Sequence, residues 1–265
     1  LALHPLQAGP ALVIGWLWLA QQDHRWLHLL WLPIVAGAVC FALPQLSFLT
    51  ARMDALWFQQ VWDRNLVVFY SHSGIGDWNY LLKDAFVVAV ATRHAASPLR
   101  QYLISVLVAS LLLFSLGLAL ADGLHLTWLA GLQLWRVHWL LHWTATAILP
   151  WLCVHLWRHS THDKLRLLVF VCAVILGLMP SAAHPMFLIA ALLYWVWPWL
   201  IQRLGLTLQR ILAMLCLGVA MIYVLPNTLA LTPWGAPLGT TRWVDALMQP
   251  RLPAALLLPA VLAVL

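Results

Sequence analysis

Apolar residues in this chain come in long runs, and the breaks between them carry Pro, Gly, Arg or Lys. The runs fall at about Pro5 to Ala20, Leu29 to Leu43, Tyr102 to Ala121, Trp135 to Trp157, Leu167 to Met179, Pro185 to Ile201 and Ile211 to Leu225. An α-helix needs about 20 mostly apolar residues to cross a hydrocarbon core of ~30 Å, so each run reads as a membrane span. A shorter run, Lys83 to Ala96, has charged ends and reads as a tilted or re-entrant eighth. Apolar character from Leu124 to Trp157 is too long for one straight span. It divides at Gly131 into a short interfacial piece and the span from Trp135. The pattern predicts an all-α polytopic transmembrane bundle of about eight spans, with an interfacial helix and an outer polar loop.

Two segments interrupt this pattern. Residues 45–82 mix Arg52, Asp54, Gln59, Asp63, Arg64 and His72 with Phe48, Trp57, Phe58, Trp62 and Trp78. Such a mixture cannot cross hydrocarbon, but it suits an amphipathic helix on the interface, followed by a loop from Ser71 to Asp77. Residues 227–253 form a second polar connection, and residues 1–265 read as one integral membrane domain. The chain opens on Leu1 and stops within an apolar run, 254–265, too short to span, so it reads as a piece of a longer protein.

Composition supports the membrane reading and removes several chemistries. The chain is 64% hydrophobic and 8% charged, with mean hydropathy +0.88, where a soluble domain is about a quarter charged. All eight acids are aspartates, and the lack of glutamate argues against a carboxylate-rich metal site in a helix bundle. The net charge of +6 is spread over short loops, as the positive-inside rule expects, and implies no nucleic acid partner. If Lys83 to Ala96 crosses, alternate loops set eight basic residues (Arg25, Arg93, Arg100, Arg158, Lys164, Arg166, Arg203, Arg210) against four (Arg52, Arg64, Arg242, Arg251), or against six with Lys83 and Arg136 at span ends. That bias puts the first set in the cytoplasm and the two polar connections outside. The four cysteines lie apart in apolar runs, without CxxC spacing, and read as small buried hydrophobes.

Candidate chemistry centres on Gln133 to Trp143. On a helix Trp135, Trp139 and Trp143 share one stripe and His138 and His142 another. Arg136 at the head of a span is costly unless it reaches water, headgroups or an anion. A guanidinium there can fork onto lipid phosphate, or snorkel to ordinary headgroups while tryptophans anchor the helix. Asp54 and Asp63, with His72 nearby, are candidates for a general base in the outer segment, although carboxylates in a solvated connection need no such role. Bis-His haem needs a histidine on each of two facing helices. His138, His142 and His155 share one helix, and three other spans carry none, so no cofactor is expected.

Met53-Asp54 with Trp57, Asp77-Trp78 and Gln133-x-Trp135-Arg136-x-x-Trp139 resemble features of polytopic bacterial inner-membrane proteins related to C-type membrane glycosyltransferases. The resemblance covers about Arg52 to Trp157. It implies a multi-pass inner-membrane protein of envelope glycan assembly that acts at the outer leaflet on a polyprenyl-phosphate-linked sugar. Asp54 or Asp63 would then be the base, Arg136 with Gln133 the phosphate contact, and Trp135, Trp139, His138 and His72 their neighbours. The competing expectation is a non-catalytic membrane subunit or scaffold whose partners are lipids and other membrane proteins.

Overall fold

A computed structural model describes residues 5–32, 35, 38, 39, 51–64, 69–72, 75–159, 164–179 and 184–229. Among these the chain is helical: α1 (Pro5–Gln22), α2 (Ala55–Arg64), α3 (Ile75–His94), α4 (Leu99–Leu116), α5 (Thr127–Leu132), α6 (Val137–His159), α7 (Lys164–Gly177), α8 (His184–Arg203) and α9 (Leu206–Leu229). The lone extended pairing is a bridge between Arg52 and Leu126.

Four segments among the described residues are long and apolar enough to cross a membrane, namely Leu99–Gly123, Leu134–Arg158, Pro185–Arg203 and Leu206–Tyr223. The chain is therefore a multi-pass membrane protein, and of the about eight expected spans four qualify among the described residues. The physical reasons differ from run to run. Helix α1 carries Gln7, Gln21 and Gln22, and α3 interrupts its apolar face with Asn79, Lys83 and Asp84. Helix α7 is only 14 residues, about 21 Å of rise. The run from Leu29 to Leu43 lies largely outside the described residues, as does the second polar connection beyond Leu229. The amphipathic helix expected in the first polar segment is present as α2.

Contacts divide the chain into two compact units, Leu1–Gly74 with Val88–Ile148, and Ile75–Val87 with Leu149–Leu265. In the first, α1 packs along α4, tied by the Gln21 amide, which donates to Ser105 Oγ at 2.7 Å and to the Gln101 carbonyl at 3.0 Å. Helix α4 buries Leu103, Val106, Ala109, Ser110 and Leu113 at helical spacing. It continues as a π-helical turn, Gly117–Gly123. That turn begins where the Tyr70 ring lies so close to Gly117 that a Cβ would overlap it.

In the second unit α7 is the centre. Every residue from Arg166 to Gly177 is buried, as expected of a helix that is apolar all round. Helix α8 turns Phe187, Ala190, Ala191, Tyr194 and Trp197 toward the core, and α9 buries Gln209, Ala213, Leu217 and Ala220. Phe86 of α3 sits among Phe170, Phe187 and Tyr194 at ring separations of 5.6–6.1 Å.

Candidate functional site

Arg136 owes its position to the turn that precedes it. After the π turn the chain doubles back, and α5 packs against residues 117–123. Gln133 then takes a left-handed conformation, φ 48° and ψ 54°, which reverses the chain in one residue. Leu134–Arg136 form one tight turn against both α1 and α4, closed by the Arg136 N–H donating to the Gln133 carbonyl at 2.9 Å. The same Gln133 supplies its side-chain oxygen to Arg136 Nε. The guanidinium lies over the Trp135 ring, 5.2 Å from its centroid.

This leaves the planar fork oriented and open. Among the described residues neither terminal amino group of half-buried Arg136 has a hydrogen bond or an ion pair. Among the described residues the Trp135 indole N–H is buried without an acceptor. Tyr102 Oη of α4 and Thr144 Oγ1 of α6 lie 3.5 Å apart, with Thr144 eight positions along the chain beyond Arg136. Arg136 is the third residue of the candidate span Leu134–Arg158, at its end as the sequence suggests. Ser110 Oγ is also buried without a partner.

Below this point α1, α4 and α6 enclose an apolar groove of about 460 Å³. Ile14, Gly15 and Trp18 line one wall, Tyr102 a second, and Leu140 and Trp143 a third. Leu140, Trp143 and Thr144 follow Arg136 at i+4, i+7 and i+8, so the groove continues the stripe that starts at the guanidinium.

The outer segment gathers at the other end of the π turn. Met53 N–H donates to the His125 carbonyl at 2.9 Å, and Thr127 N–H to that of Ala51 at 3.1 Å. His125, at φ 53°, packs at a tilt against Phe58, with ring centroids 4.5 Å apart. Asp122 accepts the N–H groups of Tyr70 (3.3 Å) and Ser71 (2.7 Å), clamping the turn at Tyr70–His72. Burial, with the Asp122 charge second, raises the Tyr70 hydroxyl above the ordinary tyrosine range.

Asp54 Oδ1 accepts the Trp57 N–H at 2.7 Å and so caps α2, whereas Asp63 is exposed in the last turn of that helix. No hydrogen bond or ion pair among the described residues joins either aspartate to Arg136. His138 faces His142, with rings 6.4 Å apart, and Trp139 is exposed. His72 belongs to the clamped turn, and its side chain lies outside the described residues. The described residues contain no cluster of three His, Cys or Asp side chains able to hold a metal ion.

Sequence reasoning missed a second buried polar group. In the second unit Lys83 Nζ and Asp84 Oδ1 pair at 2.8 Å with side chains 6% and 1% exposed. The Lys83 stem crosses Gly177, where a Cβ would meet it at 2.6 Å. Asn79 donates to the carbonyls of Leu176 and Gly177 at 3.4 Å each, satisfying the C-terminal end of α7. The signal was the adjacent Lys-Asp at the edge of an apolar run, which also reads as an ordinary span boundary. Compared with known proteins, the chain matches no family model, no curated protein and no solved structure.

Proposed function

We propose that this chain is a bacterial inner-membrane protein that binds a phosphate-bearing lipid at Arg136, of the polyprenyl-phosphate-linked kind used in envelope glycan assembly. The observation that carries the reading is the guanidinium itself. It is held at Nε, lies over the Trp135 ring and has no partner among the described residues at either terminal amino group, at the head of an apolar span. A cation there is expensive unless an anion meets it, and a planar fork matches two phosphate oxygens. The groove below Arg136 supports a lipid over a soluble phosphate, because a hydrocarbon chain can lie along Leu140 and Trp143 while the head stays at the fork. Glycosyl transfer is the finer form of this reading, with exposed Asp63 as base.

A non-catalytic binding subunit is the second reading. The cap made by Asp54 favours it, since that carboxylate is already occupied by the α2 N-terminus. The two separate on activity: Asp54→Asn and Asp63→Asn, assayed for glycan product at matched protein level, lower turnover if either is the base. Undiminished product in both, with Arg136→Gln defective, leaves binding without catalysis. Full product in all three variants removes the proposal.

A further inference from the structure

We infer that one end of the second unit, remote in sequence from Arg136, is a seat for an anionic phospholipid. Helices α7 and α8 run antiparallel, with Gly177 beside Phe187 and the Arg166 guanidinium 4.4 Å over the Tyr194 ring. The start of α7, the end of α8 and the start of α9 therefore share one end. Lys164 Nζ stands 4.6 Å over the Trp157 ring, which brings the last turn of α6 to the same place.

Four exposed cations collect there: Arg158, Lys164, Arg203 and Arg210. Over residues 158–210 the sequence sets five basic residues against one acid, Asp163, which lies outside the described residues. Arg203 is spread on the Trp199 ring at 5.0 Å, and Trp199 is 56% exposed. A cation seated on an exposed tryptophan matches the headgroup level of a bilayer.

Arg210 supplies the second half of the argument. It stands at the mouth of a shallow groove of about 370 Å³ whose other walls are Thr207, Ile211, Met214 and Leu215. Ile211, Met214 and Leu215 follow Arg210 along one helix face and Thr207 precedes it by one turn, with Met214 and Leu215 exposed. A charge at the mouth and an apolar track beyond it fit a phosphate head with one acyl chain. The occupant is a phosphatidylglycerol-type lipid, its phosphate between Arg203 and Arg210 and a chain along Ile211 to Leu215.

The test uses the full purified chain in detergent, titrated with dioleoyl phosphatidylglycerol or the zwitterionic dioleoyl phosphatidylcholine, with bound lipid counted by native mass spectrometry. The anionic lipid should bind in preference, and Arg203→Gln/Arg210→Gln should weaken it roughly twentyfold, at about fivefold per basic residue. Phosphatidylcholine binding should not change. Met214→Trp should weaken the long-chain lipid but not its dihexanoyl analogue. Equal binding of the two headgroups, or an unaffected double variant, overturns the inference. So does displacement by inorganic phosphate, which would mark a free-anion site. Should the double variant fold poorly, the wild type still decides, because the preference must fall as salt rises from about 0.05 to 0.5 M. The same titrations are run in an Arg136→Gln background, so that lipid held at Arg136 is subtracted and the loss on Arg203→Gln/Arg210→Gln is read separately from the first proposal.

Discussion

Replacing Gln133 by Gly separates two jobs done by one residue. Gln133 holds φ 48°, a conformation that costs a side-chain-bearing residue about 1 kcal/mol and glycine almost nothing. Its side chain also clamps Arg136 Nε, and a hydrogen bond to a charged group contributes about 1.5–3 kcal/mol, with the lower end appropriate to this half-buried site. The two terms nearly cancel, leaving a net loss of about 1 kcal/mol or less, a shift of roughly 2–4 °C in Tm for a chain of this size. Lipid binding has no such offset. An unclamped guanidinium samples other rotamers, and the affinity for polyprenyl phosphate in nanodiscs should fall about five- to tenfold, equivalent to ~1–1.4 kcal/mol. Thermal unfolding and lipid titration on the same preparation check both numbers. Unchanged affinity would show that Gln133 does not orient the fork. A loss of stability well beyond ~3 kcal/mol would show that the turn is more than local.

Further consequences can be measured independently. Gly117→Ala should cost about 1–3 kcal/mol, because the new methyl meets the Tyr70 ring, and Tyr70→Ala in the same chain should recover most of it in a double-mutant cycle. Lys83→Met alone should destabilise by about 3–5 kcal/mol by leaving the Asp84 carboxylate buried and unpaired by lysine, whereas Lys83→Met with Asp84→Leu should cost much less. Tyr70 predicts an alkaline limit. Its hydroxyl is raised by burial and then by Asp122, so folded and unfolded chains are both neutral there below pH about 10. Above that the unfolded chain alone ionises, stability falls with rising pH, and Tyr70→Phe should flatten the fall in alkaline unfolding curves. Arg136→Lys keeps the charge but not the planar fork, so it should bind polyprenyl phosphate more weakly than wild type and better than Arg136→Gln in the same titration.

The sequence pattern located the helices well wherever one face or the whole surface was apolar. Four of the expected spans, including the one from Trp135, qualify because their runs are long and carry few charges. The others fell short for reasons that hydropathy blurs. The apolar face of α3 is broken by an ion pair that folds inward, and α7, at 14 residues, falls short of a span's length although it is buried from Arg166 to Gly177. Arg136 and Gln133 were legible as residues, but their partnership needed a left-handed turn that no residue type announces at Gln133. Asp54 illustrates the converse. An aspartate three residues before Trp57 at the start of an amphipathic helix is a capping signal, and the cap is what the structure shows.

The central claim is that the Arg136 fork meets a lipid phosphate, and one titration tests it most directly. Purified chain in nanodiscs is titrated with polyprenyl phosphate and, in parallel, with the uncharged polyprenol. Wild type should bind the phosphate saturably and about tenfold or more tightly than the alcohol, and Arg136→Gln should erase the difference. Equal affinities for phosphate and alcohol in the wild type, or an undiminished preference in Arg136→Gln, would contradict it.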